Sequence, residues 1–223
     1  MAEQRRGQMT SDATDTIDTL IARYVAGNLP TPARVLVASH LELKPRSRAL
    51  AHGLEIMAGE ELDQEQPKPL SDSARRLAAI LGSDAPAPIV LPPQPRSAVF
   101  PRALRDFVGF DADETPWRTK MPGFREHDLG DIDGFNVSLF WIRPGRRIPT
   151  HTHGGVELSL VLDGAFTDVH GRYGRGDISI ADETVEHRPT AEMDRPCIGM
   201  AITDAPLKLT GSIPRRLMDI IGG

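Results

Sequence analysis

Gly145-Arg146-Arg147-Ile148-Pro149-Thr150-His151-Thr152-His153-Gly154-Gly155-Val156-Glu157-Leu158-Ser159-Leu160-Val161-Leu162-Asp163-Gly164 is the stretch from which the rest of the chain can be read. Residues i and i+2 of a strand point to one face, so His151 and His153 can present two imidazoles to one point. Glu157 keeps the same parity, with Gly154-Gly155 as a place for the strand to bend. A carboxylate beside two imidazoles is a metal-ligand set. Without thiolate it suits zinc, manganese, iron, nickel or cobalt, and ligand type alone does not choose among them. A later stretch adds His187 as a fourth candidate, after the turn signal Gly176-Asp177 and the strand-like Ile178-Ser179-Ile180. His52, His127 and His170 have no ligand-spaced neighbour and read as ordinary core or surface histidines.

These spacings resemble both halves of the cupin signature. Gly145, His151, His153, Glu157 and Gly164 match the first half throughout. In the second half Gly176 and His187 stand at the expected separation, while Asp182, Thr184 and Ala191 replace the family's Pro, Gly and Asn. The resemblance implies a small antiparallel jelly-roll β-barrel over the second half of the chain. Inside it one divalent metal would be held by His151, His153, Glu157 and His187, with zinc first and manganese, iron or nickel as alternatives.

Composition sets outer bounds. A chain of 223 residues suits one large or two small domains, and 39% hydrophobic residues allow a real core. A net charge of −5 argues against a generic nucleic-acid binder. One cysteine excludes an internal disulfide, and no apolar run reaches membrane-span length. Residues 1–11 are polar, lack the apolar core of a signal peptide and read as a disordered N-terminus; the expected location is the cytoplasm.

From residue 12 the pattern is helical. Ile17, Leu20, Ile21, Tyr24 and Val25 form an amphipathic stripe that Gly27-Asn28 ends. Thr31-Pro32 reads as an N-cap with proline at the first helical position. Pro45 breaks or restarts that helix, and Leu50, Leu54 and Met57 mark a third. Glu60 to Pro69 reads as an acidic linker, and Ser71-Asp72 as the cap of a short helix, Ala74 to Leu81, stopped by Gly82. Four short helices bury little surface, so residues 12–83 either complete their core on a partner or pack on the barrel. Residues 84–98 hold five prolines and read as a semi-rigid linker or a strap; residues 99–223 form the barrel region.

The segment Ala38-Ser39-His40-Leu41-Glu42-Leu43-Lys44-Pro45-Arg46-Ser47-Arg48 is similar to the His-x3-Cys-x2-Cys box of zinc-binding anti-sigma domains. Tyr24-Val25-Ala26-Gly27-Asn28-Leu29 is similar to that family's first helix and turn. With the barrel half, the layout resembles the ChrR-type anti-sigma factors. That resemblance implies that helices grip a sigma factor of the extracytoplasmic-function class while the cupin senses an oxidant or small molecule. The sequence departs from the family at Lys44 and Ser47, which replace the two cysteines, and at Asp15, near the place of a further His. An ammonium and a hydroxyl cannot stand in for two thiolates, so no zinc is expected at His40. Sigma binding would then rest on apolar anchors, with Leu20 and Tyr24 the candidates if they face outward.

The strands expected in the second half are short. Trp117 to Phe124 begins the barrel with a turn at Met121-Pro122-Gly123, and Phe135–Ile142 alternates. Glu157–Leu162 enters a hairpin at Asp163-Gly164; Ala165–His170, Gly176–Ile180, Pro196–Ile202 and Leu207–Thr210 follow. Leu217–Ile221 reads as a terminal helix, docked on the barrel or forming a homodimer contact. Cys197 reads as a buried small hydrophobe. The fold class is α+β. Two functions fit it: a regulatory anti-sigma factor, or a metal-dependent cupin enzyme (oxygenase, isomerase or hydrolase) with accessory helices. Tyr173, His170, Arg188 and Glu186 are the enzyme reading's nearest acid and base groups in sequence.

Overall fold

The computed structural model describes residues 17–84 and 99–210. The N-terminal stretch, nearly all of the Pro-rich linker and the terminal helix expected after Pro214 lie outside those residues.

The apolar stripe of the first helix forms α1 (Ile17–Val25), and Leu20 and Ile21 are fully buried on it. Tyr24 packs against the same core. The stripe therefore faces inward, and Leu20 and Tyr24 are not outward anchors. Next come α2 (Thr31–Leu43) and α3 (Pro45–Gln64), each carrying a proline in its first turn, where a missing N–H costs nothing. Thr31 is not the cap of α2: it is the first helical residue, and its amide donates to Asp133 Oδ2 at 2.9 Å. The barrel thus supplies the acceptor that a local side chain was expected to give.

Helix α3 runs through half of the expected acidic linker. Glu60, Glu61, Leu62, Asp63 and Gln64 contain no breaker, and Pro67 lies three residues past the end. The next helix, α4 (Ser73–Leu81), buries none of its residues. Asp72 precedes it in the left-handed region (φ 58°) and makes no side-chain cap; its carboxylate accepts from Arg75 instead. Then α5 (Arg102–Val108) starts under Glu42 of α2, whose two oxygens accept from the amides of Arg102 and Ala103 at 2.8 Å each. A carboxylate at a helix N-terminus meets both the unpaired N–H groups and the helix dipole.

The strands are β1 (Arg118–Met121), β2 (Phe124–Ile132), β3 (Phe135–Ile142), β4 (His151–His153), β5 (Glu157–Asp163), β6 (Ala165–Asp168), β7 (Gly171–Gly174), β8 (Ile178–Ala181), β9 (Thr190–Ala191), β10 (Cys197–Thr203) and β11 (Leu207–Leu209). An antiparallel sheet runs in the order β1-β2-β3-β10-β5-β8; smaller sheets pair β11 with β4 and order β7-β6-β9. The sequence pattern missed most of β2, Phe-Arg-Glu-His-Asp-Leu-Gly-Asp-Ile, because it shows no apolar alternation.

The two faces of the large sheet differ. One carries Val137, Leu139, Leu158, Leu160, Ile178, Met200 and Ile202, all buried, in a single core with Leu36 and Val37 of α2, Leu20 of α1 and Leu104 of α5. Each such side chain contributes roughly 1.5–3 kcal/mol by burial. The sheet therefore completes the core of α1, α2 and α5, while α4 stays uncovered. The other face, with Phe140, Ile142, Val161 and Cys197 at one end packed against Phe166 of β6, lines the barrel interior. Cys197 is fully buried, and burial pushes its thiol up to about 12, so it is a packing residue and not a reactive thiolate.

Candidate metal centre

The two motif stretches meet through their backbones. The His151 amide donates to the His187 carbonyl at 3.1 Å, and the His187 amide returns a bond to the His151 carbonyl at 3.0 Å. Strand alternation then sends His151 and His153 to the same side, as their spacing requires. All three imidazoles are buried, and their ligand atoms lie within 4.8 Å of one another. His187 Nε2 is 2.9 Å from His151 Nε2 and 3.1 Å from His153 Nε2.

The other ring nitrogens decide what those contacts mean. His151 Nδ1 donates to the Pro149 carbonyl at 2.7 Å. His187 Nδ1 donates to Asp168 Oδ2 at 3.1 Å, and the Asp168 side chain is fully buried. With both Nδ1 atoms committed as donors, neither neutral ring has a proton left at Nε2. Two lone pairs then face each other across 2.9 Å, an arrangement that a cation between them relieves. Burial also pushes His151 and His153 down to about 4, so both are neutral at physiological pH, the form that ligates metal. Burial alone would raise the Asp168 carboxyl, but hydrogen bonds from His187 and the His170 amide hold it below its ordinary range. The donor set thus fits a divalent metal.

Three of the four predicted ligands converge. Glu157 stands beside them and lines the same cavity: its Oε1 accepts from Ser159 Oγ at 2.9 Å, and its Oε2 lies 3.5 Å from His153 Nδ1. Sequence reasoning missed Asp168. A metal-bound imidazole needs an acceptor on its other nitrogen, but nothing in the spacing says which carboxylate supplies it. Of the acid and base groups considered for an enzyme, Tyr173, His170, Arg188 and Glu186 are not among the residues lining the cavity. His127 packs edge-on against Phe110, 5.5 Å between centroids. His40 is buried on α2, where its Nδ1 lies 2.7 Å from the Gly176 carbonyl.

A jelly-roll barrel holding three converging, buried imidazoles, with helices packed on its outer face, defines a cupin with an N-terminal helical extension. Residues 106–205 match the family model of the ChrR cupin-like domain. The chain is 37% identical over 203 residues to the anti-sigma-E factor ChrR of Cereibacter sphaeroides, covering 89% of this chain and 92% of that protein. It belongs to the ChrR family of anti-sigma factors. The crystal structure of Rhodobacter sphaeroides SigE in complex with the anti-sigma ChrR superposes with a TM-score of 0.71 at 36% identity, covering 84% of this chain and 96% of that one. An RmlC-like cupin protein from Ralstonia eutropha JMP134 matches at a TM-score of 0.40 and 17% identity, over 46% of this chain and 71% of that one.

Proposed function

We propose that this chain is a cytoplasmic anti-sigma factor. Its N-terminal helices bind an extracytoplasmic-function sigma factor, and its cupin domain holds one divalent metal and senses an oxidant or small molecule. The observation that carries this reading is that similarity to an anti-sigma factor spans the helices as well as the barrel, 89% of the chain. The helices also hold an unpartnered apolar surface. On α4, Leu77, Ile80 and Leu81 are 56%, 69% and 76% exposed, and on α3 Ile56, Met57 and Leu62 are exposed too.

The metal is proposed to be zinc, which imidazole and carboxylate ligands suit. His151, His153 and His187 hold it, Glu157 is the fourth ligand, and Asp168 and the Pro149 carbonyl fix the rings. When bound, zinc supplies a redox-inert positive centre that ties β4, β5 and the His187 segment together. His40 is read as a docking residue without zinc: its Nδ1 is engaged by Gly176, and Lys44 follows one turn on with its ammonium 2.7 Å from Asp177. The enzyme reading is not favoured, because the similarity to an anti-sigma factor runs through the helices as well as the barrel.

The test is co-purification of the full chain with the extracytoplasmic-function sigma factor of its own genome, with and without a strong chelator. Complex formation in both conditions is expected. No complex in either, together with turnover of a small molecule by the barrel, would move the assignment to a cupin enzyme.

A further inference from the structure

The barrel interior beyond the three imidazoles is a cavity of about 330 Å³, and the register of the large sheet sets what lines it. Across five neighbouring strands, pairing aligns Asp128, Ser138, Ala201, Ser159 and Ser179 in one row. The adjoining row brings Asn136, Thr203 and Glu157 together. The opposite face of the same strands is apolar at the corresponding positions, from Val137 and Leu139 on β3 to Ile178 on β8. A packed core would have used apolar residues on both faces. Ser159 and Ser179 in this band are buried and Ser138 is half-buried, so their hydroxyls cost free energy unless something bonds to them, while Asp128 and Asn136 stand exposed at the cavity mouth.

Part of this band is satisfied internally. Ser159 donates to Glu157, and Thr203 donates to the Ala205 carbonyl at 2.7 Å. Ser179 bonds the Tyr173 hydroxyl. Asn136 and Ser138 face the cavity with no side-chain partner among the described residues, and Asp128 uses only Oδ1, on the Gly130 amide at 2.8 Å. At the rim, Glu126 is neutralised by Lys120 at 2.8 Å. The lining holds three carboxylates, Glu126, Asp128 and Glu157, and neither lysine nor arginine. The other end of the cavity is walled by Phe124, Phe140, Ile142 and Phe166.

We propose that this cavity binds a small organic molecule with an apolar or ring-bearing body and a neutral or cationic head. The head donates O–H or N–H to Asp128, Ser138 and Asn136, and in the metal-free protein, whose lining carries carboxylates and no cation, anionic heads are rejected. The body lies on the aromatic end, where Glu126, in register with Phe140, is already engaged by Lys120. The size suits a ligand at the small end of the usual pocket range. This inference rests on reading the barrel as the sensing domain and names the chemistry it receives.

The test uses three probes that share one ring and differ only in the head: benzyl alcohol, benzylamine and benzoate. Their binding to the full chain is followed by ligand-observed saturation-transfer NMR, with the metal-loaded protein and again after a chelator removes the metal so that a carboxylate cannot simply ligate an ion, a thermal melt showing that the chelator-treated barrel stays folded. Benzyl alcohol or benzylamine should bind at least about tenfold more tightly than benzoate, the scale of one hydrogen bond to a charged group. Asp128→Asn keeps the Gly130 acceptor and should reduce benzylamine binding severalfold or more. Ser138→Ala should weaken benzyl alcohol. Thermal melts check that both variants stay folded. Benzoate binding as tightly as the donors, or no binding of either donor at millimolar concentration, overturns the proposal. Sigma co-purification is measured separately, so failure here leaves the anti-sigma reading standing, and failure there leaves the cavity result standing.

Discussion

His40 Nδ1 and the Gly176 carbonyl oxygen are 2.7 Å apart, so one buried hydrogen bond joins helix α2 to the β7–β8 turn. The turn fits the helix closely. Gly176 has φ +84°, and a Cβ there would stand 2.8 Å from both Leu43 Cβ and Lys44 Cε. The Lys44–Asp177 ion pair borders the contact.

Replacing His40 by Ala leaves that carbonyl buried without a donor. The expected loss is about 1–3 kcal/mol at pH 7.5, read from urea denaturation of the full chain. Acid should shrink this difference. Burial, assisted by Lys44 and opposed by the Gly176 bond and Asp177, holds His40 below 6.5 in the folded state. The unfolded chain therefore takes up the proton first as pH falls through about 6.5, and His40's contribution declines from there toward its folded pKa. His151 and His153 titrate alike in both proteins and cancel. A gap between wild type and His40→Ala that widens from pH 7.5 to 5.5 would contradict a neutral, buried His40.

Asp168→Asn tests the orientation of the third imidazole. The amide keeps the shape and one acceptor oxygen but loses the charge that fixes His187 with its proton on Nδ1. Metal affinity should fall about 10- to 100-fold, measured by competition with a chromogenic chelator. Unchanged affinity would mean that the 3.1 Å contact to His187 is incidental to the site.

How far sequence carried the reading depends on what kind of pattern each part leaves. The convergence of His151, His153 and His187 was legible because strand parity and the paired motif stretches act locally. Asp168 was not, because its role arises only when β6 folds under His187. Strand β2 was missed for a related reason: Glu126 and Asp128 face a cavity, so the residues that should alternate as apolar are polar. The stripe on α1 was read correctly as apolar, but a stripe does not name its neighbour. Helices α3 and α2 cover it within the shared core, and the exposed apolar surface lies further along, on α3 and α4.

Gly199 shows how tightly the interior is shaped. It lies on β10 between Phe140 of β3 and Val161 of β5, and the Phe140 ring rests on the space its side chain would fill. The carbonyl of Leu160 is 2.7 Å from the same point. Gly199→Ala should destabilise the protein by about 1–3 kcal/mol through overpacking and push Phe140 into the cavity. Denaturation midpoints check the first effect, and loss of probe binding checks the second. A variant as stable as wild type would show that Phe140 moves freely.

The partner surface gives the last prediction. A helix of nine residues that buries none of them is marginal on its own in water. Leu77, Ile80 and Leu81 lie at i, i+3 and i+4, one face of α4, and all three are exposed. Such an unpartnered stripe fits helix-in-groove recognition, in which a few large apolar anchors carry most of the energy. Leu77→Ala and Ile80→Ala should each cost roughly 2 kcal/mol of sigma-factor binding, about thirtyfold in affinity. Because neither side chain is in the core, thermal stability of the free protein should stay within about 0.5 kcal/mol of wild type. Leu20→Ala is the control with the opposite signature. That residue is fully buried among the helices and the sheet, so its loss should cost about 2–5 kcal/mol of stability. The measurements are calorimetric titration of the full chain with the sigma factor and urea denaturation of the free chain. Wild-type affinity in the Leu77→Ala/Ile80→Ala double variant would remove α4 from the interface and leave α3, with Ile56, Met57 and Leu62, as the surface to probe next.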